Sequence, residues 1–129
     1  MASAASLCTS LLIEDDADTR EMYRLVLEQA SIGVVEAEPT DAERVACSRR
    51  PDVVLMDLSL PAIDGFELAS RLRANPETAR IPILVISGHA GTEIDSRARE
   101  VGIDGMLLKP IDPQTLVDAI LRLLHARQR

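Results

Sequence analysis

The chain has 129 residues, 47% of them hydrophobic, and a formal net charge of −7, which amounts to about one domain with enough apolar surface for a core. That acidic balance disfavours phosphate backbones and anionic lipid surfaces, so neither nucleic acid nor membrane is expected as a direct partner. Cys8 and Cys47 lie far apart, with no C-x-x-C and no histidine at ligand spacing; this argues against zinc or a disulfide framework and for two small buried thiols in a reducing cytoplasm.

Residues 1–6 carry no Lys or Arg ahead of an apolar core, and are expected to be a disordered start to a single domain over residues 7–129. No apolar run approaches membrane-spanning length, so a soluble cytoplasmic protein is expected. The run Leu11-Leu12-Ile13 reads as a first strand and stops at Glu14-Asp15-Asp16. In the helix that follows, Asp18 and Glu21 have capping-box spacing, and Met22, Leu25, Val26 and Ala30 fall on one face. Ile32 to Val35 is a second strand, halted near Pro39, and a second helix runs from Asp41 to Ser48. Pro51 leads into the strand Val53 to Met56, which ends at Asp57.

Pro61 and Gly65 bracket a loop into a third helix, on which Phe66, Ala69 and Leu72 share a face, and Asn75-Pro76 stops it. Pro82 enters the strand Ile83 to Ile86, which closes at Ser87-Gly88. The fourth helix, Glu93 to Val101, starts behind Thr92 with Asp95 completing a box, and offers the core only Ile94, Ala98 and Val101. Such a thin stripe predicts weak anchorage. Gly102 and Gly105 flank the approach to the fifth strand, Met106-Leu107-Leu108, which ends at Lys109-Pro110. Asp112 caps the last helix with Pro113 in its first turn, and Leu116, Val117, Ile120, Leu121 and Leu124 form a broad apolar face.

Five strands alternate with five helices, the pattern of a parallel sheet with helical crossovers. Ligands on such sheets bind at the strands' carboxyl ends, so Glu14, Asp15, Asp16, Asp57 and Lys109 are expected along one edge. Four carboxylates crowded there repel one another unless a divalent cation and the lysine offset them. Asp57 emerges from a wholly apolar run and is the candidate nucleophile toward a phosphoryl group, giving an aspartyl phosphate. Glu14, Asp15 and Asp16 offer the hard oxygens that magnesium prefers, while Lys109 supplies a point charge and Ser87 a hydroxyl donor for the phosphoryl oxygens.

Taken together, Ile13-Glu14-Asp15-Asp16, Leu55-Met56-Asp57-Leu58-Ser59-Leu60-Pro61, Asp64-Gly65, Val85-Ile86-Ser87-Gly88 and Leu108-Lys109-Pro110 resemble the receiver domain of two-component response regulators. The resemblance covers nearly the whole chain. It implies an α/β flavodoxin-like fold, a doubly wound five-stranded parallel sheet of order 2-1-3-4-5 with helices on both faces. It further implies that Asp57 is the phosphoacceptor, Asp15 a direct magnesium ligand, Glu14 a ligand through water, and the Ser59 carbonyl the remaining protein ligand, with manganese as an alternative metal. Ser87 then corresponds to the switch hydroxyl and Lys109 to the phosphate-binding lysine. Ser59 and His89 hold positions that modulate hydrolysis of the acyl phosphate, and Asp16 is a peripheral charge. The implied partners are a sensor histidine kinase or a histidine-phosphotransfer protein and a downstream protein target. The implied role is a phosphoacceptor with self-catalysed transfer and dephosphorylation, not an enzyme.

Each assignment has a plainer rival. On the plainer reading the three acids serve the helix dipole, although Asp18 with Glu21 reads as the better cap. Ser87 and Ser59 can satisfy turns, His89 can be a solvated loop residue, and His125 suits a helix carboxyl end. The chain also departs from the family pattern: Met106 stands where the switch aromatic is usual, and Ile111 where Phe is common after Lys-Pro. Met repacks readily but lacks a rigid plane, so the output is expected to be transmitted differently from the usual coupling of hydroxyl and aromatic ring. Drawing Ser87 and the loop after it toward the phosphoryl charge would pull on the thinly anchored fourth helix, so the surface of the fourth helix, fifth strand and fifth helix is the expected output face. An FMN-binding module is disfavoured because its phosphate loop would be Glu14-Asp15-Asp16. A magnesium-dependent phosphatase is disfavoured because Ser59 stands where a second Asp would act as acid and base. A receiver-like module that binds protein without switching is the remaining alternative.

Overall fold

The computed structural model describes residues 8–58 and 64–127. Its elements in chain order are β1 (Cys8–Ile13), α1 (Ala17–Gln29), β2 (Ile32–Glu36), a 3₁₀ turn (Pro39–Asp41), α2 (Ala42–Arg49), β3 (Val53–Asp57), α3 (Gly65–Ala74), β4 (Ile83–Ser87), α4 (Thr92–Val101), β5 (Gly105–Leu108) and α5 (Pro113–Arg127). The strands form one sheet in the order β2-β1-β3-β4-β5, with every pairing parallel. This is the strand order that the motifs imply.

Alternation along the strands builds two cores, because successive side chains leave a strand on opposite faces. Leu11, Ile13, Val54, Met56, Ile83 and Val85 point toward α2 and α3, meeting Ala42, Ala46, Leu68 and Leu72. Leu12, Val53, Leu55, Leu84 and Ile86 point the other way, toward Tyr23 and Leu27 of α1 and Leu116 and Ile120 of α5. β3 and β4 are buried along their whole length, so they read as continuous apolar runs without a polar face.

Four local expectations are corrected. Asp16, not Asp18, caps α1: its carboxylate accepts the Thr19 N–H at 2.9 Å, and the helix begins at Ala17. The buried face of α1 carries Tyr23 and Leu27, while Met22 is 46% and Leu25 52% exposed. The segment Met22 to Leu27 is apolar around most of a turn, and packing against the sheet selects the large ring. On α4, Thr92 is the first helical residue and Gly91 the cap, with no side-chain cap hydrogen bond. Asp112 does cap α5, accepting from the Thr115 N–H at 3.1 Å. Leu121 of that helix is 37% exposed, so the apolar face is narrower than its sequence suggests. Cys8 and Cys47 are free and half-buried.

At the edge opposite the charged one, Arg73 of α3 is a clamp. Its guanidinium donates to the carbonyls of Gly102 at 2.9 Å, Ala79 at 3.1 Å and Ile81 at 2.7 Å, and pairs with Asp104. The Asp104 carboxylate also accepts the Ile83 N–H at 2.8 Å, so the start of β4 and the entry to β5 are tied to α3.

Candidate functional site

Register brings the charged strand ends together. Ile13 pairs with Met56, which sets Glu14 beside Asp57; Asp57 pairs with Ile86, and Ser87 with Leu108. The ladder continues one step past the strands, with the Leu58 N–H donating to Ile86 O at 3.1 Å and the Lys109 N–H to Ser87 O at 2.8 Å. Glu14, Asp57, Ser87 and Lys109 therefore line one carboxyl edge.

Asp57 is 5% exposed, and the Lys109 ammonium donates to its Oδ2 at 2.6 Å. That hydrogen bond, ahead of the opposing effect of burial, raises the lysine above its ordinary value and keeps it cationic. Glu14 is 4% exposed; its Oε2 accepts the Asp16 N–H at 3.1 Å, while its buried Oε1 has no hydrogen-bond partner. Burial first, and the neighbouring Asp57 carboxylate second, push Glu14 up to about 7, against the Asp16 N–H and Lys109, which lower it. Asp15 stands exposed in the turn between β1 and α1. Asp16 is occupied with capping, and the Thr19 hydroxyl and N–H hold its carboxyl below the usual range.

The fit to a divalent cation rests on chemistry rather than on a closed cage. Among the described residues no group of three or more acidic, histidine or cysteine side chains is already converged to hold an ion. Yet a buried carboxylate oxygen with no partner, beside a second buried carboxylate, is stable as an anion only with a cation or water to receive it. Ser59, assigned a ligand carbonyl and a modulating role, lies outside the described residues.

Ser87 is 2% exposed and its hydroxyl is turned into its own loop, donating to His89 O at 2.7 Å and accepting the His89 N–H at 3.0 Å. The plainer reading of a satisfied turn thus describes its present contacts. The His89 side chain is exposed, and Met106 is half-buried under α4, against the core shared with Val101 and Ile103.

Arg20 and Tyr23 shape the site without having stood out in the sequence, and Gly65, which stood out only as part of a motif, does so by its closeness to the acceptor strand. Arg20 donates to the Glu14 carbonyl at 2.9 Å and lies 3.7 Å from Glu36. Strand pairing of β1 with β2 ends at Leu12 and Glu36, so the guanidinium supplies a partner that the sheet no longer does. The signal for it, an Arg one turn into α1 opposite an acid ending β2, is visible only once the two elements are known to be neighbours. Tyr23 is 3% exposed; burial raises its phenol, and it senses the charges of Lys109, Glu14 and Asp57, so it lies beside the edge. Gly65 opens α3 against the acceptor strand: a Cβ there would stand 3.0 Å from Leu58 Cα and 3.3 Å from Asp57 O. A larger residue would require that backbone to give way by a few tenths of an ångström.

A family model described as the response regulator receiver domain matches residues 11–121. The phosphate regulon transcriptional regulatory protein PhoB of Pseudomonas aeruginosa is 37% identical over 118 residues, 91% of this chain and 52% of PhoB. The chain thus spans about half the length of that relative. Protein PilH of the same organism is 34% identical over 113 residues, covering 85% of this chain and 93% of PilH. Among solved structures, the receiver domain of the sensor histidine kinase PA1611 from Pseudomonas aeruginosa superposes with a TM-score of 0.83 at 25% identity, covering 92% of this chain and 98% of that one. That structure is described with a magnesium ion coordinated in its active-site cleft.

Proposed function

Because the chain belongs to the response regulator receiver domain family, we propose that it accepts a phosphoryl group on Asp57 and converts the added charge into a changed protein-binding surface. The observation that carries this reading is the buried Asp57 carboxylate, held at 2.6 Å by Lys109 and flanked by Glu14, whose Oε1 lacks a partner. The donor is a phosphohistidine on a sensor kinase or a phosphotransfer protein, or a small acyl phosphate. An Asp57 oxygen forms the new O–P bond as the donor's N–P or O–P bond breaks, and the leaving imidazole or carboxylate keeps the electron pair.

Asp15 and Asp57 would hold magnesium, or manganese in its place, directly, Glu14 through water, and the Ser59 carbonyl would complete the protein ligands. Held there, the ion would supply neutralisation of charge on the phosphoryl oxygens. Lys109 leaves its contact with Asp57 for a phosphoryl oxygen, a shift its flexible stem allows. Ser87 exchanges its turn contacts with His89 for the new acceptor, and Ser59 and His89 set water access and hence the lifetime of the acyl phosphate. The product carries about −1.5 to −2 charges.

The α4-β5-α5 surface is the output face toward a downstream protein. No helix among the described residues is long and apolar enough to cross a membrane, and a cytoplasmic site of action fits a phosphohistidine donor. Incubating the protein with magnesium and acetyl phosphate tests the reading: mass rises by about 80 Da, the mass of one phosphoryl group, and an Asp57→Ala variant stays unlabelled. Absence of labelling in a folded protein, or labelling that survives in that variant, would overturn it.

A further inference from the structure

Helix α4 has little apolar attachment. Ala98 is its one buried residue, Ile94 and Val101 are half-buried, and its amino end at Gly91 has no side-chain cap hydrogen bond. Its carboxyl end is tied through Gly102 O to Arg73. Arg97 ties the middle of the helix to α3.

The Arg97 guanidinium carbon lies 4.4 Å from the centroid of the Phe66 ring, and its Nη2 stands 3.4 Å from Asp64 Oδ2. Both partners sit at the start of α3, where Asp64 caps the helix by accepting the Phe66 N–H at 2.9 Å. That start is pressed against the Asp57 carbonyl and Leu58 Cα, as the space around Gly65 requires. Arg97 therefore joins α4 to the structural neighbour of the acceptor residue. Phe66 is the chain's single phenylalanine, and it lies under Arg97 rather than on β5, where Met106 offers no ring.

We propose that Arg97 is a latch that fixes the middle of α4 on the start of α3 before phosphorylation, and that its release couples Asp57 to the output face. This inference rests on the phosphoacceptor reading. Two pulls converge on the latch when charge is added at Asp57. Ser87 gives up its contacts with His89, freeing the segment 88–91 that leads directly into α4. At the same time the new anion lies beside the α3 start that carries Asp64 and Phe66. A stacked guanidinium with one long ion pair is strong enough to bias α4 and weak enough to give way, since exposed contacts of both kinds are modest.

Hydrogen exchange on the full chain tests the latch, comparing wild type, Arg97→Ala and Arg97→Lys, each with and without beryllofluoride plus magnesium. In Arg97→Ala, amides of residues 94–98 are expected to exchange roughly tenfold faster, the ratio that losing both modest contacts implies, while amides of α1 and α5 keep wild-type rates. Arg97→Lys retains charge but not the planar stack, so it is expected to fall between the two. NMR shifts of α4 in unliganded Arg97→Ala should move toward the wild-type beryllofluoride positions. Unchanged α4 exchange, or acceleration spread equally over all helices, would overturn the latch. If wild type ignores beryllofluoride while Arg97→Ala still loosens α4 alone, the phosphoacceptor reading fails and the coupling with it, and only the tie of α4 to α3 stands.

Discussion

Lys109 reaches Asp57 across an intervening strand. The two residues follow β5 and end β3, β4 lies between them, and still the ammonium stands 2.6 Å from the carboxylate. Only the long lysine stem spans that gap, with 37% of its side chain open to solvent and the carboxylate 6% open. The pair is thus half in and half out of water. Removing the ammonium should cost about 1 kcal/mol, less than a fully buried pair because solvent screens its outer half. Lys109→Ala should therefore unfold slightly earlier in urea at pH 7 and label poorly with acetyl phosphate. The folded lysine is raised above its ordinary 10.5, so its contribution is complete below pH 10.5 and is lost as pH climbs through the raised value. Stability of wild type and Lys109→Ala should converge there.

Glu14 reverses the usual carboxylate sign. Its folded value of about 7 lies above the ordinary 4.5, so the folded state binds its proton more tightly than the unfolded chain. That contribution is full below pH 4.5 and disappears as pH rises through about 7. In chelator at pH 8, Glu14→Gln should be more stable than wild type by about 1–2 kcal/mol, with the gap closing toward pH 4.5. Magnesium should raise the melting temperature of wild type more than that of the variant. Equal melting curves at pH 8 would refute the assignment.

Tyr23 is the sole tyrosine in a chain without tryptophan, and it senses the charges of Lys109, Glu14 and Asp57. Its fluorescence should change saturably as magnesium is added and return on chelation. Tyr23→Phe should abolish the signal while Asp57 labelling persists.

Gly65→Ala places a methyl 3.0 Å from the Leu58 backbone, which cannot swing aside as a side chain would. We expect a loss of about 1–3 kcal/mol and slower acetyl phosphate labelling, because the shift falls on the acceptor strand's end.

Asp16→Ala should lower the melting temperature and fray α1, seen as faster exchange in its first turn, whereas Asp18→Ala should leave both nearly unchanged. The reverse result would restore the capping box that the sequence suggests.

The sheet and its charged edge were legible because apolar runs stop abruptly at Glu14, Asp57 and Lys109, and parallel pairing then aligns those stops without further information. The face of α1 was not, since Met22, Leu25 and Leu27 compete on hydrophobicity and only the sheet's shape chooses Tyr23 and Leu27. Arg20, Arg73 and Arg97 were hidden for another reason. A long guanidinium acts several residues' breadth from its own backbone, so its partner is set by which elements are neighbours, a fact absent from local spacing.

The Arg73 clamp gives the molecule a fulcrum. By binding Gly102 O, Ala79 O and Ile81 O and pairing with Asp104, it rivets the carboxyl end of α4 to the foot of β4 and to α3, while Arg97 ties the middle of the helix and the amino end at Gly91 has no side-chain cap. Displacement of this helix is accordingly angular rather than sliding: Gly91 sweeps the widest arc, Gly102 the narrowest, and a partner gripping the amino-terminal turns feels the longest lever arm.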